Sequence, residues 1–196
     1  MNYSVWVSFL SYTVITALSP GPNNILALNA TGSAGIKKSK NILLGIYTGF
    51  TCIMVICGIF SSALLIFLPN IMNYMKYIGA VYIFWLAYHV AFSKPIETNS
   101  QADCQSFSKG FILQFANVKI ILWGITAFTG FIMPYYQSPL VICAFVMILS
   151  LIGNGATHIW AVAGSMLGSF LRKYWKISNI CMSILLLYSA IHLVLE

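Results

Sequence analysis

Runs of about twenty apolar residues recur along this chain, and its first acidic side chain is not met until Glu97. A soluble fold covers its surface with charge, whereas a run of that length matches the hydrocarbon thickness of a bilayer. Of 196 residues 60% are apolar and only 7% charged, with a mean hydropathy of +0.88. Lipid is therefore the expected solvent for most of the surface.

The runs fall at about 5–28, 42–68, 71–92, 110–133, 139–168 and 177–195. They predict an all-α integral membrane protein with six transmembrane helices in a single transmembrane domain over 1–196. The two halves cover about 1–92 and 109–196, and the polar stretch 93–108 links them. The short break at Pro69-Asn70 predicts an antiparallel hairpin of the second and third spans. Met1 to Ser4 carry no basic residue, and Pro20 follows the Ala-x-Ser site at Ala17–Ser19, so the first span is expected to be retained rather than cleaved.

The formal charge of +7 does not point to nucleic acid, because the basic residues stand between apolar runs. Lys37, Lys38 and Lys40 occupy the first loop, Lys94 and Lys109 the third, and Arg172, Lys173 and Lys176 the fifth. The second loop carries only Lys76 and the fourth none. Alternate basic loops predict that those loops are cytoplasmic and that both termini face outward. Three spans per half then enter the membrane in opposite directions, as a 3+3 inverted repeat requires.

Within the first span lies Ser19-Pro-Gly-Pro-Asn-Asn24. Pro20 and Pro22 break the helix, since proline lacks a backbone donor and clashes with the preceding turn. Ser19 followed by Pro20 resembles an N-cap with proline at the first helical position. A half-helix would then start inside the membrane with free amides and a positive dipole end, a device for holding a carboxylate. Gly21, Asn23 and Asn24 belong to this candidate site. The fourth span carries Asn117-Val-Lys119, with Gln114 on a neighbouring turn. Lys119 lies too deep for easy escape to the surface, so it is expected to face a polar cavity. Asn154 and His158, one turn apart in the fifth span, form a further polar pair.

No carboxylate lies in any span: the acids are Glu97, Asp103 and Glu196. A carboxylate proton relay is thus absent, and proton coupling would have to use Lys119 or His158. Together the half-helix start and Lys119 would make an anion-attracting pocket, and a small zwitterion is one cargo that agrees with it. Its carboxylate would be held by the half-helix start and Lys119, and its ammonium by carbonyls freed at the break with Asn24, Asn117 or Asn154. A small organic anion, needing no ammonium seat, is the competing cargo.

Cys52, Cys57, Cys104, Cys143 and Cys181 form no CxxC and no metal-like grouping with histidine, so no cofactor or metal is expected. Cys52 and Cys57 fall on roughly opposite faces of one helix, which weighs against a membrane thiol or electron carrier, the alternative from another class. GxSxG, HExxH and paired aspartates are missing, so no enzyme is expected. Gly45 and Gly49 form a GxxxG suited to packing within the chain, and a homo-oligomer is compatible with it.

The residues quoted, together with the basic loop between Gly35 and Gly45, resemble the LysE/RhtB amino-acid exporter family along essentially the whole chain. "TALSPGPNNILAL" (16–28) and "LQFANVKIILWGITA" (113–127) are most similar to the branch exporting cysteine and O-acetylserine, in which the usual Asn-Pro-Lys reads Asn-Val-Lys. The resemblance implies an inner-membrane exporter of cysteine, O-acetylserine or related small neutral amino acids, working by alternating access. Without its proline, the fourth span has weaker grounds for a break.

Overall fold

A computed structural model describes residues 1–92 and 106–195, and every regular element among them is helical. The linker acids, Lys94 and Cys104 lie outside the described residues. Helix α1 (Tyr3–Leu18) is capped by the side chain of Asn2, which accepts from the amide of Val5 at 3.0 Å. It ends where Ser19 is pushed to extended geometry by Pro20. Helix α2 (Pro22–Lys38) starts after extended Gly21, with Pro22 in the first helical position. Near its far end Gly35 adopts φ 78°, a conformation glycine takes without strain, and kinks the helix.

Helix α3 (Lys40–Ala91) has a helical backbone along its whole length, and no separate turn is seen at Pro69-Asn70. The helix is nevertheless not straight. Leu43 and Ile46 cluster with Ala27 of α2, while Ala80, Ile83 and Ala87 cluster with Ile25, two residues away. A straight helix would hold Ile46 and Ala80 about 50 Å apart, so α3 doubles back between them.

The second half begins with α4 (Phe107–Ala116), capped by Ser106, and continues through α5 (Val118–Thr126) into a π-helical segment, Ala127–Ile132. The chain bends by 59° at Asn117. The fourth span is therefore broken without a proline: Asn117 adopts φ −85°, ψ 87° and ends one helix while starting the next. Helices α6 (Pro139–Met166), α7 (Gly168–Lys173) and α8 (Trp175–Leu195) complete the chain. By length and composition Lys40–Phe60 and Pro139–Met166 are able to cross a bilayer, and the bent pair Phe107–Ile132 is a third candidate when its two arms are counted as one span. Tyr3–Leu18 and Trp175–Tyr188 are shorter apolar helices.

Close backbone approach holds these helices together, as expected where lipid offers no hydrophobic drive. A Cβ on Gly45 would collide with the carbonyl of Phe107, one on Gly110 with that of Ile42, and one on Gly164 with that of Leu28. Gly49 lies against Gln114 and Phe111 of α4, so the glycine pair of α3 packs within the chain. Thr31 donates to the carbonyl of Ala161 at 2.7 Å, tying α2 to α6. The outward faces are apolar, with Leu140, Leu151 and Ile59 mostly exposed.

These contacts gather the helix ends that carry five of the lysines at one end of the bundle. Lys37 and Lys38 end α2, Lys40 starts α3, Lys109 opens α4 and Lys173 ends α7. Gly168 rests on the carbonyl of Gly32, and Gly110 on that of Ile42, which brings those helix ends together. The opposite end holds the N-terminal amine, 3.3 Å from the Tyr136 hydroxyl.

Candidate functional site

The break in the first span follows from proline chemistry, but its polarity differs from the sequence expectation. Ser19 is the C-cap of α1 rather than the N-cap of the next helix: its amide donates to Ile15 and its hydroxyl to the carbonyl of Thr16 at 2.7 Å. Pro20 forces Ser19 out of the helical region, and extended Gly21 takes the capping position instead.

A helix ending inside a bilayer exposes carbonyls that have to find donors. Here each one is answered. The side-chain amide of Asn24 donates to Ala17 and to Ser19, both at 2.9 Å, and the indole of Trp160 donates to Leu18 at 3.1 Å. Lys119 supplies the rest. Its ammonium donates to the Ser19 hydroxyl at 2.7 Å and to the carbonyls of Ser19 and Pro20 at 3.1 Å each. Three N–H bonds meet three acceptors, and the cation lies at the negative end of α1. Lys119 thus completes the broken helix. The expectation that it would stand as an open seat for an anion is corrected.

Gly21 makes room for this arrangement. A Cβ there would lie 2.9 Å from the Lys119 Nζ and 3.0 Å from its Cδ.

The donors at the break remain. Pro22 has no amide hydrogen, and the amides of Asn23 and Asn24 have no acceptor among the described residues. They form the positive start of α2. Asn117, at the start of α5, brings a second helix N-terminus to the same place.

The two breaks are joined by a relay of amides. Gln114 donates from Nε2 to the carbonyl of Gly110 at 2.9 Å, which fixes its Oε1 as an acceptor. Asn23 Nδ2 donates to that oxygen at 2.6 Å, and Asn117 Nδ2 donates to Asn23 Oδ1 at 3.0 Å. A backbone carbonyl therefore sets the direction of every amide in the chain. The free end is Asn117 Oδ1, a buried acceptor without a donor among the described residues.

Between the breaks lies a cavity of about 370 Å³ of empty space, counting its mouth. Gly21, Asn23, Asn24, Asn117, Lys119 and Thr157 form its polar end. Phe50, Ile120 and Trp123 form an apolar end, beside Gly153. Thr157 donates to Asn24 Oδ1 at 3.2 Å, orienting that side chain from α6. Neither Ser19 nor Gln114 is among the lining groups: the first holds Lys119 and the second anchors Asn23 from behind.

Asn154 and His158 are placed elsewhere. Asn154 donates to the Tyr47 carbonyl and the Thr51 hydroxyl of α3 at 3.3 Å each. His158 is exposed on α6, its Nδ1 2.9 Å from the Tyr47 hydroxyl. Their shared helix face is as expected, but it packs on α3 and not on the cavity. Sequence reasoning missed Thr157, Trp160, Phe50 and Trp123. Thr157 lies one position from the pair that was chosen, so the periodicity was one step out of phase. An aromatic in an apolar span carries no signal of what its polar atom meets.

Cys52, Cys57, Cys143 and Cys181 are free thiols, and the described residues hold no group of metal-ligating side chains.

The sequence matches the model of a LysE type translocator over residues 14–196. It is similar to proteins named cysteine/O-acetylserine efflux protein. The relative from Escherichia coli K12 is 39% identical over 193 residues, 98% of this chain and 99% of its own. That from Shigella flexneri is 39% identical over 186 residues, 95% of each chain. No solved structure matches it.

Proposed function

The chain belongs to the LysE type translocator family, and from that premise we propose that it exports small neutral amino acids, cysteine and O-acetylserine first among them. The observation that carries the reading is the polar end of the cavity. It offers two amide donors at a helix start and, across the breaks, an acceptor whose direction is fixed by Gly110. A zwitterion needs both. The amides of Asn23 and Asn24 would take the carboxylate, and Asn117 Oδ1 the ammonium. Lys119 adds positive potential without giving up a donor. An organic anion would leave Asn117 Oδ1 unpaired, which favours the zwitterion.

The arrangement fits six spans in two inverted halves: α1–α2 and the two arms of α3, then α4–α5, α6 and α8. The break lies about 24 Å along the first span, toward the basic end, which we assign to the cytoplasm. Both termini are then periplasmic. Alternating access would move the halves about the joined breaks. Proton coupling is assigned to Lys119 rather than His158, because Lys119 lines the cavity and holds the break together. An amine that releases its proton keeps only two N–H donors for three acceptors, which would loosen its hold on the Ser19 hydroxyl and the carbonyls of Ser19 and Pro20.

Proteoliposomes holding the purified chain and loaded with labelled cysteine or O-acetylserine test the reading. Efflux above empty vesicles is expected for both. Efflux of neither, with a small dicarboxylate released instead, contradicts it.

A further inference from the structure

Trp123 is 4% exposed and lines the cavity, yet its indole Nε1 has no acceptor among the described residues. An indole N–H is a donor only, and leaving it buried and unpaired costs about 1–3 kcal/mol. The neighbouring Phe50 and Ile120 side chains are hydrocarbon, so neither offers this N–H an acceptor. Its position is held in place. The ring lies 5.7 Å from that of Phe50, which in turn rests on Gly153, where a Cβ would strike the Phe50 ring.

Lys119 and Trp123 stand four residues apart on α5, so they share a face, with Trp123 about 6 Å further along the axis. A cargo with its charged groups at the breaks would run its side chain along this face toward the indole. We propose that Trp123 Nε1 donates to a carbonyl oxygen in the cargo's side chain. Trp123 is then the specificity-determining residue that selects an O-acylated amino acid such as O-acetylserine over cysteine, whose thiol is a weak acceptor. This rests on the export reading above.

The test compares wild type and Trp123→Phe in proteoliposomes, with efflux of O-acetylserine and cysteine followed separately. The phenyl ring keeps most of the volume and removes the donor. O-acetylserine efflux is expected to fall at least tenfold and cysteine efflux less than twofold. Equal losses for both cargos, or none, overturn the assignment. A second arm needs no variant: wild type should be inhibited at least tenfold less by O-ethylserine, which lacks the acyl oxygen, than by O-acetylserine. Equal inhibition overturns the proposal even if Trp123→Phe does not fold. Wild-type vesicles releasing neither cargo contradict the export reading instead.

Discussion

The ammonium of Lys119 lies 2.7 Å from the hydroxyl of Ser19, although a hundred residues of chain separate them. Through that contact, and two more to the carbonyls of Ser19 and Pro20, the fourth span closes the break in the first. A half-buried cation and the negative end of a half-helix stabilise each other, and the site is built around the pair.

Lys119→Met removes three hydrogen bonds and strands the acceptors they served. Thermal unfolding in detergent should show a loss of the order of 3 kcal/mol, and efflux should vanish. Lys119→Arg keeps the charge but not a titratable amine. Efflux down a cargo gradient should survive at reduced rate, whereas accumulation driven by a pH gradient should fall at least tenfold. Undiminished pH-driven transport in Lys119→Arg would remove Lys119 as the proton carrier.

Gly21→Ala introduces a methyl group where the lysine stem lies, so Lys119 has to withdraw from the break. Gly21 is extended, with φ −167°, so the cost is one of space and not of backbone strain. Efflux is predicted to drop about tenfold while the protein stays folded. Gly155→Ala, where a Cβ meets nothing within 4 Å, serves as the control and should match wild type.

Gln114 never reaches the cavity, but it sets the direction of Asn23 and Asn117. Gln114→Leu frees both amides to turn, so the cavity no longer presents a fixed acceptor. The concentration for half-maximal efflux should rise about tenfold, with maximal rate less affected. An unchanged half-saturation value would show that the relay plays no part in binding.

Gly45 packs on the backbone of Phe107, and Gly110 on that of Ile42. Gly45→Val wedges α3 from α4 and should cost more than about 2 kcal/mol, read as a lowered midpoint in thermal unfolding. Equal stability of Gly45→Val and wild type would contradict the packing described.

Much of this was legible in the residues because the chemistry is local. Pro20 and Pro22 forbid a continuous helix, and alternate basic loops sort the helix ends whatever the tertiary packing. Legibility failed where partner choice depends on three dimensions. The charge of Lys119 was plain, but a break presents both a positive and a negative helix end, and only packing decides which end the ammonium meets. Asn154 and His158 share a face by periodicity, yet nothing in their spacing says that α3 covers it. The bend at Asn117 was weakly signalled, because no proline forces it and the amide of Asn23 helps to hold it. Trp123 was silent, since an indole in an apolar run reads as packing until its N–H is found without an acceptor.

The central claim is that the joined breaks read a carboxylate and an ammonium together, and isomeric cargos test it most directly. O-acetylserine and N-acetylserine have the same atoms, but moving the acyl group to nitrogen abolishes the ammonium and leaves an anion. In proteoliposomes loaded with both at equal concentration, the account predicts that O-acetylserine leaves at least ten times faster. Equal release of the two isomers would mean that Asn117 Oδ1 reads no cation and that the cavity is an anion site.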